Sequence, residues 1–316
     1  LNLLGGPGNV YEVKLPKDIL KTFNRHRIFK VEDESEIDEL LQDAFSKNEK
    51  VLLVYNTVKK AQEAYAGFED KYPYVKKLLI HSRFKRGDRF ARELTLKKDF
   101  DENPTKEACL VVSTQVVEVS LDISFDRMTT MCAPLDSLIQ RFGRVNRRRT
   151  KETIGHYKPV YVLKPEGMAL PYKSDVLKSS FDQLPDNGEV LDETEIQQKI
   201  DLVFPDLDLK QIDIHQKFKD GQITMKELTD NKKSVIVEAL EIESATCILE
   251  EDRDAYMLAK WEQRINMEIP VNWRTIARYK DDYEQMDIGS HPFVIPQNPE
   301  DYKRYGLQLT EPETFL

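Results

Sequence analysis

Short apolar runs without polar alternation recur in the first half of the chain, at residues 51–55, 78–80 and 109–112. Runs of this kind are typical of parallel strands that helices cover on both faces. Stretches with helical spacing lie between and after them, including one that begins at Pro134 and places its apolar residues on a single face. The pattern therefore predicts an α/β fold in which helices flank a parallel sheet.

The same pattern predicts further elements along the chain. In the first half they are strands at residues 9–15, 126–131 and 158–163, with helices at 35–45, 58–68 and 87–98. In the second half they are helices at 176–184, 193–204 and 252–265, with strand character at 234–249. Trp261 and Trp273 are predicted to lie in the core of the second half.

Polar residues follow three of the predicted strands directly. They are Asn56 and Thr57, then His81, Ser82 and Arg83, and then Ser113 and Thr114. Parallel strands place their carboxyl ends at one edge of the sheet, and such groups bind phosphates without reading bases. Together they predict a track for a nucleic-acid backbone. Taken singly, Asn56 and Thr57 have an alternative as a helix cap, and His81 has one as a turn or packing residue.

Arginines cluster at the end of the helix that begins at Pro134. Arg144 and Arg147 are three residues apart, so helical geometry would point them the same way. Gly143 beside them would let a phosphate approach closely. Two guanidinium groups aimed at one spot suit a γ-phosphoryl group in transfer, because each binds phosphate oxygens in a fork. The alternative is a solvated basic helix end.

Charge divides the chain near residue 150. The 316 residues carry 47 basic and 56 acidic side chains, a net charge of −9. Residues 1–150 hold 27 basic and 23 acidic residues (net +4), and residues 151–316 hold 20 and 33 (net −13). This shift supports two domains, which we place at residues 1–165 and 166–316. The acidic second domain is a poor surface for binding the DNA backbone.

The composition indicates a protein of the cytoplasm that has no membrane partner. No apolar run approaches the length of a membrane-spanning helix, and the first residues do not form a signal peptide. The three cysteines are far apart and form no Cys-x-x-Cys pair, so we expect buried thiols in a reducing compartment.

Two segments resemble conserved motifs of superfamily 2 helicases. Ser113-Thr114 with Ser120-Leu121-Asp122 resembles motif V, and residues 140–147, Gln-Arg-Phe-Gly-Arg-Val-Asn-Arg, resemble motif VI. The complete sequence of residues 113–122, together with Asp-Ser-Leu-Ile-Gln-Arg at residues 136–141, is similar to that of the CRISPR-associated helicase–nuclease of type I interference. The resemblance covers residues 51–149.

The resemblance implies a RecA-like lobe and a role for each matching residue. Arg144 and Arg147 would act as arginine fingers on ATP, and Gln140, Gly143 and Asp122 would lie around the nucleotide. The polar strand ends would correspond to motifs IV, IVa and V, which face single-stranded DNA. The C-terminal part would be a smaller α+β domain.

The chain lacks other motifs that such an enzyme needs. No Gly-Lys-Ser/Thr P-loop occurs, no suitable Walker B acid pair follows a strand, and no histidine precedes an aspartate as in HD nucleases. The chain also begins with Leu1, which suggests a fragment. We therefore expect the second lobe and C-terminal domain of a longer protein, inactive alone, whose first lobe holds ATP and Mg²⁺.

The remaining partners also follow from the resemblance, and two alternatives stay open. The resemblance implies an HD nuclease domain outside this chain and a guide-RNA surveillance complex that marks the target DNA. One alternative is the second lobe of another superfamily 2 translocase. The other is a non-catalytic docking module, which would need neither the paired arginines nor the phosphate track.

Overall fold

A computed structural model describes residues 15–98, 107–120, 123–148, 150–165, 171–205, 244–277 and 282–309. Nine strands lie in these ranges. They are β1 (His26–Val31), β2 (Lys50–Val54), β3 (Lys76–Ile80), β4 (Cys109–Ser113), β5 (Arg127–Met131), β6 (Lys158–Leu163), β7 (Ser244–Leu249), β8 (Ile269–Asn272) and β9 (Phe293–Ile295).

The first six strands form one sheet in the order β1-β6-β5-β2-β4-β3, and every neighbouring pair is parallel. The predicted parallel α/β sheet is thus confirmed. Its central strands β2 and β4 are buried almost throughout, because helices cover both of their faces.

The α-helices of the described ranges alternate with the strands or follow them. They are α1 (Lys17–Lys21), α2 (Ile37–Ser46), α3 (Val58–Lys71), α4 (Arg86–Thr95), α5 (Val116–Ser120), α6 (Leu135–Phe142), α7 (Ser174–Asp182), α8 (Ile196–Val203), α9 (Arg253–Leu258), α10 (Trp261–Met267), α11 (Trp273–Ala277) and α12 (Pro299–Tyr305).

Each face of the sheet has its own apolar core. On one face the core includes Val117 of α5, Leu138 of α6 and Leu177 of α7. On the other face, Leu41 of α2 and Ala61 of α3 share a core with the C-terminal part of the chain. The helices that carry the predicted ATP-binding motifs therefore cover one face, and the C-terminal part covers the other.

The C-terminal part contains a second sheet of three strands in the order β8-β7-β9. β7 pairs antiparallel with β8 and parallel with β9. Buried residues of this sheet, including Cys247, Ile269 and Phe293, belong to the same core as α2 and α3. The prediction of a smaller α+β unit after the main sheet is confirmed, and its apolar side packs on that sheet.

Some elements and core residues in the structure differ from those predicted from the sequence. The strand β1 was not predicted, and the strand predicted at 9–15 lies almost entirely outside the described residues, as does most of 234–249. The single helix predicted at 252–265 is two helices, α9 and α10, because Ala259 is extended between them. The prediction that Trp261 is in the core is wrong, since its exposed fraction is 71%. The three cysteines are buried and unpaired, as predicted.

Candidate nucleotide and nucleic-acid site

The carboxyl ends of β2, β4 and β3 meet at one edge of the large sheet, as the sequence predicts, and that of the neighbouring β5 joins them. The Ser113 hydroxyl donates to the carbonyl of Ile80 at 2.7 Å, which ties β4 to β3. The Asn56 side-chain amide donates to the carbonyl of Cys132 at 2.7 Å, which ties the end of β2 to the end of β5. Two residues of the predicted track therefore also hold the strand ends together.

The predicted track residues differ in how much of each side chain is exposed. Thr57 and Ser82 are half-buried, and the Thr57 hydroxyl accepts from the amide of Lys60 at 3.3 Å as the cap of α3. The others are at most 7% exposed: Asn56, His81, Arg83, Ser113 and Thr114. The structure brings all seven to one edge, and their contact with DNA stays a prediction.

His81 lies beneath the C-terminal segment that follows α12. Its Nδ1 accepts from the amide of Arg83 at 3.1 Å, so Nε2 carries the ring hydrogen and donates to the carbonyl of Tyr305 at 2.9 Å. The ring stacks on Phe84 with centroids 4.5 Å apart. Burial lowers the pKa of His81 to about 3, so the ring is neutral. The structure gives this residue the packing role that the sequence left open.

The two predicted arginine fingers do not lie on a helix. The helix α6 ends at Phe142, and Val145 forms a parallel bridge with Phe125. The amide of Phe125 donates to the carbonyl of Arg144 at 3.0 Å, and the amide of Asn146 donates to the carbonyl of Phe125 at 3.1 Å. The prediction that helical spacing points Arg144 and Arg147 the same way is therefore wrong, because the chain between them forms a single β-bridge at Val145 and a left-handed residue at Asn146.

The segment that carries these arginines is held by several side chains. His26 donates from Nε2 to the carbonyl of Val145 at 3.0 Å, and burial lowers the pKa of His26 to about 4. Asn146, with φ of 51°, donates from its side chain to the carbonyl of His156 at 2.8 Å. The amide of Arg147 donates to the hydroxyl of Ser124 at 3.0 Å. Hydrogen bonds thus hold the backbone of both arginines.

The Arg144 side chain points to the motif V segment. Its Nη2 donates to the carbonyl of Glu118 in α5 at 2.6 Å. Arg147 is half-buried, and so is Gly143, which follows the last residue of α6 with φ of −56°. Gln140 is exposed on α6, and Asp122 lies outside the described residues. The structure therefore places the predicted motif VI segment against α5 of the predicted motif V segment, and the roles of these five residues stay predictions.

Sequence reasoning missed the most connected side chain of the site, Arg141, which is fully buried. Its guanidinium donates to Glu118 Oε1 at 2.8 Å, Asn56 Oδ1 at 3.1 Å, Thr130 Oγ1 at 3.0 Å, the carbonyl of Met131 at 3.2 Å and the Tyr172 hydroxyl at 3.4 Å. One signal was available: Arg141 comes three residues after Leu138, on the inner face of α6.

The described ranges offer no candidate for a metal site or for a membrane-spanning helix. These ranges bring together no group of three or more His, Cys, Asp or Glu side chains that could hold a metal ion. None of the helices within them has the length and apolar character that crossing a membrane requires.

Sequence comparisons match part of the chain to one family of known proteins. Residues 47–150 match the family model described as CRISPR-associated nuclease/helicase Cas3, C-terminal. A relative from Methanocaldococcus jannaschii, named putative CRISPR-associated nuclease/helicase Cas3, is 31% identical over 199 residues. That alignment covers 60% of this chain and 26% of the relative, so the chain spans about a quarter of its length.

Solved structures share the fold at lower sequence identity. The structure of T. fusca Cas3-ATP superposes with a TM-score of 0.61 at 18% identity, covering 91% of this chain and 40% of that one. A chain of a CRISPR RNA-guided surveillance complex, pre-nicking, superposes with a TM-score of 0.56 at 18% identity, covering 88% and 42%. At these identities the superpositions show a common fold, which extends over the C-terminal part.

Proposed function

We propose that the chain supplies the second RecA-like lobe and the C-terminal domain of an ATP-driven DNA motor, because residues 47–150 match the C-terminal model of the Cas3 nuclease/helicase family. The intact protein would move along single-stranded DNA and degrade foreign DNA in type I CRISPR immunity. The observation that carries the proposal is the junction of the motif V and motif VI segments, where Arg144 bonds to the backbone of Glu118.

In this proposal Arg144 and Arg147 complete an ATP site whose other half is the first RecA-like lobe. A guanidinium is always charged and can spread the negative charge of the transferring phosphoryl group. The fixed backbone of residues 144–147 supports this role, because preorganised charge costs no rearrangement during the reaction. Gln140, Gly143 and Asp122 would border the nucleotide. Mg²⁺ would be held mainly by the first lobe.

The DNA strand would pass the carboxyl edge of the sheet. Thr57 and Ser82 are the track residues with open surface, and the amino end of α3 behind Thr57 favours an anionic phosphate. Contacts of this kind bind the backbone and carry no base preference. Asn56, Ser113 and Thr114 would support the edge from beneath, and His81 and Arg83 would join the track when the C-terminal segment moves.

The proposal also covers the rest of the assembly. Residues 1–165 would form the second lobe, and residues 166–316 would form linker helices and the C-terminal domain. An HD nuclease domain outside this chain would cut the DNA, and a guide-RNA surveillance complex would mark it, all in the cytoplasm. A structural neighbour in a CRISPR RNA-guided surveillance complex supports the last partner.

The isolated chain tests the proposal through its ATPase activity. We expect no turnover with or without single-stranded DNA, because the 316 residues contain no Gly-Lys-Ser/Thr P-loop to hold the phosphates. Circular dichroism of the same sample would establish that the chain is folded, and the intact protein would serve as the positive control. DNA-stimulated turnover by the folded, isolated chain would overturn the two-lobe proposal.

A further inference from the structure

We propose that Glu118 and Arg141 are positioning residues that hold Arg144 in place and couple it to the strand end along which DNA would pass. Neither residue is assigned a role by the helicase motifs as we read them from the sequence. The inference rests on the proposed function, because it takes Arg144 as a residue that acts on ATP.

The first observation is the burial of the Glu118–Arg141 ion pair. The two side chains are 2.8 Å apart, and their exposed fractions are 11% and 0%. Burying two charges is costly unless the geometry is good and further hydrogen bonds satisfy the remaining groups. Nη1 and Nη2 of Arg141 both donate to further partners, at Asn56 just after β2, on β5 and at Tyr172. Such a network permits few arrangements of the segments that it joins.

The second observation is that Glu118 accepts hydrogen bonds from both Arg141 and Arg144. Its carboxylate accepts from Arg141, and its backbone carbonyl accepts from Arg144 Nη2 at 2.6 Å. The helix α5 that carries Glu118 is only five residues long. A shift of this short helix would therefore change the bond to Arg141 and the position of the Arg144 guanidinium together.

The third observation links the pair to the predicted DNA track. Arg141 Nη1 donates to Asn56 Oδ1 at 3.1 Å, and Gln115 of the motif V segment donates to the carbonyl of Asn56 at 2.8 Å. The next residue, Thr57, is half-buried and caps α3. A DNA strand bound at Thr57 would stabilise one position of Asn56. Because Arg141 bonds to both Asn56 and Glu118, that position of Asn56 would favour one position of Glu118 and hence of Arg144. Such coupling is a free energy between two sites and acts in both directions.

Substitutions of the pair in the intact protein test the inference. Glu118→Gln keeps the size and an acceptor oxygen but removes the charge, and Arg141→Lys keeps the charge but cannot make all five bonds. For each we expect DNA-stimulated kcat to fall by about a hundredfold, the scale of a displaced catalytic group. The ratio of stimulated to basal turnover should fall as well. The KM for ATP and the Kd for single-stranded DNA should stay within about twofold, since neither residue supplies ground-state binding.

Arg127→Lys is the matched control. Arg127 is also a buried arginine, and it pairs with Asp43 at 2.9 Å and Glu49 at 2.7 Å. It begins β5, whereas Arg141 contacts the last two residues of that strand. We expect Arg127→Lys to lower the melting temperature but to leave the ratio of stimulated to basal turnover unchanged. If Glu118 and Arg141 had only a structural role, their variants would behave like Arg127→Lys, with a lower melting temperature and an unchanged ratio of stimulated to basal turnover.

A double variant keeps the test informative if the single variants fail to fold. In Glu118→Leu with Arg141→Met, apolar side chains replace the whole pair, a change that folded proteins often tolerate. We expect it to fold and to lose DNA stimulation. Unchanged stimulation in this variant would overturn the inference. If the wild-type intact protein itself showed no DNA-stimulated turnover, the proposed function would fail, and this inference with it.

Discussion

Two buried histidines, His26 and His81, couple the stability of the fold to pH. Burial lowers the pKa of His26 to about 4 and that of His81 to about 3, whereas the unperturbed value is 6.5. Between these values the unfolded chain binds protons that the folded chain excludes. Each histidine therefore stabilises the fold fully above pH 6.5, and this contribution is lost as the pH falls towards the folded-state pKa.

We expect acidification from pH 7.5 to pH 5 to lower the free energy of unfolding by about 2 kcal/mol for each of these histidines. Urea unfolding of the chain at the two pH values would measure the difference. In His81→Gln the difference should shrink by about one histidine's share. His156→Gln is the control, because His156 is exposed. A pH dependence that is equal in wild type and His81→Gln would contradict the burial argument.

Single residues could be predicted from the sequence where their role is local. Thr57 caps α3 through a hydrogen bond to a residue only three positions away, which is the alternative role that the sequence leaves open for it. The role of Arg141 could not be predicted, because its partners Glu118 and Asn56 lie 23 and 85 residues earlier in the chain. Only the folded sheet brings those groups together.

Among the elements, the strands could be predicted when helices bury both of their faces. β2 and β4 have that pattern, and their apolar runs identified them. β1 lies at the edge of the sheet, and its exposed and half-buried positions include Arg27 and Lys30. Such a strand has no continuous apolar run, and its pairing with β6 joins residues more than a hundred positions apart. Local pattern therefore could not distinguish β1 from a polar loop.

The contact between α12 and the end of β3 depends on Gly306. This residue has φ of 74° and ψ of −169°, a conformation that favours glycine. A Cβ there would lie 2.6 Å from His81 Cε1 and 2.8 Å from the carbonyl oxygen of Arg83. The amide of Leu307 donates to that same carbonyl at 2.7 Å. Glycine thus lets the C-terminal segment approach the strand end closely.

We expect Gly306→Ala to destabilise the docked C-terminal segment by about 1–3 kcal/mol, the usual cost of a strained backbone. Hydrogen–deuterium exchange should become faster at residues 299–309 and little changed in the central strands. Gly67→Ala is the control, because a Cβ at Gly67 in α3 meets nothing within 4 Å. That change should stabilise the chain by about 0.5–1 kcal/mol. Equal exchange in wild type and Gly306→Ala would show that the segment tolerates a side chain there.

At the scale of the whole molecule, the C-terminal part is joined to the large sheet by a common core. Leu53 of β2 and Phe84 after β3 belong to the same buried cluster as Cys247 and Leu307. The charge shift near residue 150 reflects composition, and composition does not show which apolar faces pack together. The sequence therefore predicted two units but not their shared core, and a domain boundary at residue 165 stays a prediction.

The central claim is that this chain supplies two arginines to an ATP site shared with another lobe. The most direct measurement is DNA-stimulated ATP turnover of the intact protein with Arg144→Ala or Arg147→Ala, beside the exposed neighbour Arg148→Ala as control. We expect each of the first two to lower turnover by about a thousandfold, the scale of an arginine finger, with little change in single-stranded DNA binding. Arg148→Ala should be close to wild type. Turnover near wild type in either Arg144→Ala or Arg147→Ala would contradict the claim for that residue.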